Sequence, residues 1–313
     1  MNIVVIRISA MGDVALTLPA IRSVLDAYPG STVTMVTQQQ FLPFFEGVER
    51  LHLVTADIRG RHKGIPGLWR LFRELASGCH PDIVVDLHDV LRSHVLSFFF
   101  RISGKSIYRI DKGRREKSEL TRRRHKRLRP LRHSVERYLD VFARAGLPAT
   151  LDKRGNWFPP YPSPDRFLAS KGVLLRSRPW VGVAPFARHR EKRWPLEKAE
   201  VLLDSLVAAG AEVFLFGGGA AETEALTTLA HGRSHVVVTA GGLTLAEELG
   251  LIRQLDVMVT MDSANMHMAA LSGIPTVSVW GATHPFAGFG PLGDHEKRIV
   301  QIPVERLGCR PCS

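Results

Sequence analysis

Four stretches of this 313-residue chain carry residues that could do polar chemistry. The first is Ser9-Ala-Met-Gly-Asp13, where a single carboxylate, Asp13, sits on a turn with no basic residue closer in sequence than Arg7. Gly12 beside it would let a substrate chain approach closely. The second is Lys192-Arg-Trp-Pro195, a lysine on a loop ahead of a helix that Pro195 is suited to start. The third is Gly217-Gly-Gly219 with Glu222 one turn into the following helix. The fourth, Asp262-Ser-Ala-Asn-Met-His267, follows a strand and opens a helix. There the backbone N–H groups of Ser263, Ala264 and Asn265 fall at a helix N-terminus, where unpaired donors and the helix dipole favour an anion. Ser263 suits an N-cap, and its hydroxyl could also reach a phosphate.

Each stretch has a plainer reading. A capped helix needs no ligand, Lys192 could be solvated, and Trp194 suits a core anchor. Glu222 could accept from ribose hydroxyls or only complement its helix dipole. Gly217–Gly219 lacks the G-x-G-x-x-G spacing of the dinucleotide fingerprint, and no P-loop, zinc-protease helix or nucleophile elbow occurs. The chemistry therefore falls to separated residues gathered by the fold.

The elements that must gather them alternate between strand and helix. Asn2-Ile-Val-Val-Ile-Arg-Ile8 reads as a strand, and the run from Val14 to Leu25 as an amphipathic helix. Strands follow at Ser31–Thr37, Leu51–Val54, His80–His88 and Ser106–Ile110. Helices are expected over Gly64–Ser77, Val90–Phe100 and Ser134–Ala145. Asn156-Trp-Phe-Pro-Pro-Tyr-Pro-Ser-Pro164, with four prolines in nine residues, cannot be regular structure and reads as an interdomain linker. The rhythm then restarts, with strands at Trp180–Pro185, Glu212–Phe216, His235–Thr239, Val257–Thr260 and Thr276–Trp280. Helices are expected over Pro195–Ala209, Ala220–Ala230, Leu245–Ile252 and Ser263–Ser272. This pattern predicts two parallel α/β domains, residues 1–155 and 165–313, joined by 156–164.

Composition narrows the class. Hydrophobic content of 45% and charged content of 23% suit an ordinary globular protein. The longest candidate membrane segment, Val95 to Ile102, is about eight residues against the roughly 20 needed to span. No charged n-region with an apolar h-region opens the chain, so a cytoplasmic location is expected. Cys79, Cys309 and Cys312 do not form a disulfide framework, and the Cys309-Arg-Pro-Cys312 pair is at most half a zinc site. Of the formal charge of +12, +9 lies between Lys112 and Arg132, where eleven Lys/Arg face only Glu116 and Glu119. Such an arm implies an anionic partner or a solvated loop. It lacks the interleaved aromatics of nucleic-acid binders, which disfavours a nucleic-acid partner.

Three motifs point further. Arg7-Ile-Ser-Ala-Met-Gly-Asp-Val-Ala-Leu-Thr-Leu-Pro19, Lys192-Arg-Trp-Pro195, and Asp262-Ser-Ala-Asn-Met-His-Met-Ala-Ala270 with Trp280-Gly-Ala-Thr-His-Pro285 resemble glycosyltransferase family 9, the ADP-heptose:lipopolysaccharide heptosyltransferases. The resemblance implies a GT-B fold, two Rossmann-like domains facing across a cleft, with the acceptor on the N-terminal domain and the nucleotide sugar on the C-terminal one. It implies Asp13 as general base and Lys192 as the diphosphate contact. It further places Asp262 beside the donor sugar, Ser263, Ala264 and Asn265 at the phosphate, His267 in the same motif and Glu222 at the ribose. It implies ADP-heptose as donor, no metal or other cofactor, and an anionic, lipid-linked saccharide acceptor in the lipopolysaccharide core. Peripheral contact with the inner membrane surface would follow, and Arg122, Arg123 and Arg124 of the basic arm are assigned to acceptor docking. Another nucleotide sugar or acceptor within the same family is the alternative reading. A Rossmann oxidoreductase is disfavoured by the missing fingerprint. The basic arm is denser than the family's best-known members lead one to expect. The sequence also stops just after Cys312, without the return helix common in GT-B proteins.

Overall fold

The structure is a computed structural model and describes every residue except 123, 153–154, 174–175, 294–297 and 313. The chain divides into two units. One comprises Met1–Arg114 with Arg132–Pro159, the other Arg115–Leu131 with Pro160–Ser313.

In the first unit the strands are β1 (Asn2–Ile6), β2 (Thr32–Thr37), β3 (Leu51–Thr55), β4 (Ile83–Asp86) and β5 (Ser106–Arg109). They form a parallel sheet in the order β3-β2-β1-β4-β5. The apolar run Ile3-Val-Val-Ile6 sits at its centre, in register with Val33–Val36 on one side and Ile83–Asp86 on the other. The continuous apolar character of β1 follows from burial on both faces. Two helices follow β1 where one was expected. α1 (Met11–Ala15) and α2 (Thr17–Ala27) are broken at Leu16. Pro19 explains the break: it has no N–H to give Ala15, and its ring would crowd that carbonyl. Gly12 and Asp13 therefore lie in the first helical turn, not on a loop.

Three further helices complete this unit. α3 (Gly64–Cys79) and α4 (Leu91–Ile102) pack on one face, where Leu71, Phe72, Leu75, Leu96 and Phe100 meet Val4, Ile6 and Val84. Each fully buried Leu or Phe contributes roughly 1.5–3 kcal/mol. On α6 (Ser134–Arg144), Val135, Tyr138, Leu139 and Phe142 are all buried, as their spacing predicts. Between α4 and α6 along the chain the sequence reading missed α5 (Arg114–Thr121), which falls in the second unit from Arg115 onward and buries only Leu120.

In the second unit the strands are β6 (Trp180–Ala184), β7 (Glu212–Leu215), β8 (Val236–Val238), β9 (Val257–Met261), β10 (Thr276–Trp280) and β11 (Ile299–Gln301). They form a parallel sheet in the order β11-β10-β9-β6-β7-β8. The helices are α7 (Asp165–Ser170), α8 (Leu196–Ala208), α9 (Ala220–Ala230), α10 (Leu245–Ile252) and α11 (Ala264–Leu271). α7 and β11 have no counterpart in the sequence reading. Val181, Val183, Leu203, Val213, Leu215 and Leu226 make the core between this sheet and its helices.

Two Rossmann-like parallel units are thus present, the architecture of the GT-B class. The proline-rich stretch 156–164 forms no regular element, and the units divide within it. Its first part is anchored: Trp157 and Phe158 are buried, and the Trp157 carbonyl accepts from Arg22 at 2.5 Å. Among the described residues, no helix is long and apolar enough to cross a membrane.

Candidate active site

Both sheets carry a carboxylate at the carboxyl edge, and each is paired with a cation. In the first unit Arg7, one residue past β1, extends a buried guanidinium along the sheet edge. Its Nη1 donates to the Leu87 carbonyl at 2.6 Å, and its Nη2 meets Asp13 Oδ2 at 2.6 Å. Parallel pairing of β1 with β4 brings these positions together although 80 residues separate Arg7 from Leu87. Asp13 keeps 28% of its side chain exposed, so the carboxylate is fixed from behind and open in front. Tyr138, buried on α6, donates its hydroxyl to the Asp13 carbonyl at 3.3 Å. Its removal from water pushes the phenol well above its ordinary range, so it remains a neutral donor.

Beside this pair lies a turn that sequence reasoning did not single out. The fully buried Asp86 ends β4 and shapes it. Asp86 Oδ1 accepts the N–H groups of His88 (2.9 Å) and Asp89 (3.0 Å), while Oδ2 accepts from Ser93 and Arg109, each at 3.0 Å. The turn delivers His88 against Ser9, with Nε2 3.3 Å from the Ser9 hydroxyl. Burial, reinforced by the positive charge of Arg7, lowers the His88 pKa to about 4, so its imidazole is neutral at neutral pH. Asp89 receives His94 at 2.8 Å and Arg114 at 2.6 Å, and its carbonyl receives Lys112 at 3.1 Å. Burial and the neighbouring Arg7 charge lower the Lys112 pKa. Clues were present in the polar residues closing the β4 pattern and in Lys112 opening the basic arm, but the pairings depend on tertiary placement.

The second unit brings the Lys192, Asp262 and Trp280–Pro285 stretches together at one point. Asp262, just past β9, is 9% exposed, and its Oδ2 accepts from Lys192 Nζ at 2.6 Å and Thr283 Oγ1 at 2.7 Å. The Lys192 turn is set by Gly281: a Cβ there would stand 2.7 Å from the Glu191 carbonyl, so only glycine permits the approach. Ser263 holds the N-cap position of α11 without a capping side-chain bond. Its hydroxyl lies 3.2 Å from Thr260 Oγ1 instead. The amides that start α11 at Ala264 and Asn265 have no intrahelical acceptor by the geometry of a helix start. The edge therefore offers an ammonium and a helix N-terminus together, suited to a diphosphate. His267 lies buried one turn along α11. Glu222 stands on α9, apart from this cluster in sequence, and its Oε2 accepts from the Gly218 N–H at 2.9 Å, bracing the glycine turn. The turn and α9 border a groove of about 580 Å³ that includes Gly219, Ala220, Thr223 and Gly241.

Sequence reasoning also missed how the tail supports this point. Arg310 is fully buried. One of its nitrogens donates to the Thr283 carbonyl at 2.6 Å and to Gln301 Oε1 at 3.1 Å, and another donates to the Ile302 carbonyl. The Cys312 N–H closes on the Ala282 carbonyl at 2.8 Å. Cys309 and Cys312 are exposed free thiols, and no cluster of three metal-ligating side chains occurs among the described residues.

The basic segment is more structured than an arm. Lys117 lies over the Phe289 ring at 4.1 Å, Lys126 donates to the Cys309 and Pro311 carbonyls, and Arg115 and Arg127 both meet Glu119. Arg122 Nε donates to the His125 carbonyl at 2.6 Å, and Arg124 is exposed. Arg123 lies outside the described residues.

Comparison with known proteins agrees with this architecture. Residues 68–312 match the family described as glycosyltransferase family 9 (heptosyltransferase). Lipopolysaccharide heptosyltransferase 1 of Pseudomonas aeruginosa is 28% identical over an alignment covering 100% of this chain and 86% of that protein. Its Escherichia coli K12 counterpart is 26% identical over 98% of this chain and 95% of its own. Among solved structures, a family 9 glycosyltransferase from Veillonella parvula superposes with a TM-score of 0.76 at 24% identity, covering 96% of this chain and 86% of its own. The E. coli heptosyltransferase WaaC with ADP gives 0.72 at 22% identity, covering 97% and 94%.

Proposed function

The chain belongs to glycosyltransferase family 9, and on that premise we propose that it moves heptose from ADP-heptose to the inner core of a lipopolysaccharide-type acceptor with inversion. The acceptor hydroxyl oxygen attacks the anomeric carbon as the bond to the diphosphate breaks. The hydroxyl proton passes to the Asp13 carboxylate, and ADP leaves. An oxocarbenium-like transition state needs a base on one side and positive charge on the leaving group. Lys192 and the α11 start, at Ser263, Ala264 and Asn265, are assigned the second task, and Asp262 holds Lys192 in place beside the donor sugar. Glu222 and His267 complete the donor side. Positive charge on the diphosphate comes from the protein, so the reading calls for no metal ion. Gly12 and the arginines of the basic segment are assigned to the anionic acceptor, and the reaction is assigned to the cytoplasmic face of a membrane.

The observation that carries this reading is the Lys192–Asp262 pair at 2.6 Å, placed at the start of α11. The E. coli relatives solved with ADP and with ADP-2-deoxy-2-fluoro heptose support the choice of nucleotide. Thermal shift across a panel of nucleotides and nucleotide sugars tests it. Stabilisation by ADP and ADP-heptose, and none by NAD or single-stranded DNA, is expected. Preference for a different nucleotide sugar would reassign the donor within the family.

A further inference from the structure

The first unit exposes a face that the transfer chemistry does not use. Ile65 and Trp69 on α3, and Leu91, Phe98 and Ile102 on α4, are between 43 and 79% exposed. They are not scattered. Ile65 and Trp69 are one turn apart, and Leu91, Phe98 and Ile102 fall within about 40° of each other around α4 at 100° per residue. The two stripes join through aromatic contacts, Trp69 to Phe99 at 5.0 Å and Phe98 to Phe99 at 6.2 Å between ring centroids. A contiguous surface of large apolar side chains marks an interaction site where single exposed residues would not.

Its charge identifies the occupant. Over residues 61–79 and 91–105 there are seven Lys/Arg and one acid, Glu74, which is held by Arg61 and His62. Arg70, Arg73, Arg92 and Arg101 flank the apolar stripes and are exposed. An apolar strip bordered by cations matches the interface of an anionic bilayer, where the hydrophobic side chains enter the headgroup boundary and the arginines meet the phosphates. A second copy is a poor fit, because a two-fold contact would set these cations against their own copies.

Placement gives the face a purpose. In a parallel sheet each helix after a strand starts at the carboxyl edge, so Ile65 and Leu91 lie at the same edge as Asp13. We propose that the α3–α4 face seats the first unit on an anionic membrane surface, holding the Asp13 edge at the depth where a lipid-linked acceptor presents its sugars. This inference rests on the reading of the acceptor as lipid-linked, and adds the surface that meets the lipid.

The test uses the full chain with vesicles of phosphatidylethanolamine and phosphatidylglycerol. Wild type is expected to co-sediment and to keep a bound fraction at high salt, because inserted apolar groups are not screened as charges are. Trp69→Ser/Leu91→Ser/Phe98→Ser, all at exposed positions, is expected to lower the partition constant about tenfold or more. The thermal shift with ADP and the rate on a soluble, delipidated acceptor should stay at wild-type values. The rate on vesicle-embedded acceptor should fall with the partition. Unchanged partition in the triple variant overturns the proposal. So does a wild-type dimer, seen by sedimentation velocity, that the triple variant abolishes. Failure of the functional reading would show separately, as absent transfer to the soluble acceptor by wild type, and would leave the vesicle result standing.

Discussion

The two units place nearly the same pair at the same topological position, and yet the pairs are built the opposite way round. Each has an aspartate at the carboxyl edge of a parallel sheet with a cation 2.6 Å away. In the first, the cation is the buried member: Arg7 is pinned by Leu87, and Asp13 keeps a face open. In the second, the acid is the buried member. Asp262 is held by Thr283 as well, and the more exposed partner is Lys192. A fixed cation behind a partly exposed carboxylate suits the proposed role of Asp13 as the base. A fixed carboxylate that leaves the ammonium as the more exposed member suits the proposed contact of Lys192 with a diphosphate.

The sharpest way to break this contrast is to remove the more exposed member of each pair in turn. Asp13→Asn should cost about 10²–10⁴ in kcat while leaving the ADP thermal shift intact. A variant that lost both would place Asp13 in donor binding. Lys192→Ala should lower kcat/KM by about 10²–10³ and weaken ADP as well, if the lost charge serves the leaving diphosphate as proposed. Equal ADP affinity in titration calorimetry would contradict that role.

The third test concerns stability. His88 titrates at about 4 in the native protein against an ordinary 6.5, so the unfolded chain takes up a proton first as pH falls. Its contribution is present above pH 6.5 and is lost on the way down to about 4, at most about 3 kcal/mol. His88→Gln should flatten this part of the decline when urea midpoints are compared at neutral and acidic pH. An identical slope in the variant would assign the decline to other groups. The smallest effect is expected for Thr283→Val. One hydroxyl bond to Asp262 is lost, worth about 1 kcal/mol, and ADP should weaken by about fivefold. A loss exceeding that of Lys192→Ala would make Thr283, not Lys192, the principal support.

Much of this was legible in the sequence because it is local. Asp262 stands at the end of an apolar run, Asp13 on the turn after the first strand and Lys192 on a loop ahead of a helix start, and the strand rhythm places all three at the sheet edges. The partners of Asp13 and Asp262 were not legible. Arg7 reads as an interruption in a strand, and Thr283 as one of many loop hydroxyls, until strand register joins them to residues far along the chain. α5 escaped for a different reason. Arg114-Arg-Glu-Lys-Ser-Glu-Leu-Thr121 has one buried apolar residue, so its helical order rests on ion pairs such as Arg115–Glu119 and leaves almost no apolar periodicity. Pro19 falls inside the run Val14–Leu25 expected as one helix, and its steric effect on Ala15 makes that run two.

The buried guanidinium of Arg310 has a practical meaning for anyone handling this protein. It ties Thr283, Gln301 and Ile302 together from three residues before the last. A substitution or cleavage that removes Arg310 acts on the scaffolding of the Lys192–Asp262 pair, because Thr283 is held by Arg310 and donates to Asp262. Arg310 works as a fastener beside the Lys192–Asp262 pair, and its integrity is a condition for comparing one preparation with another.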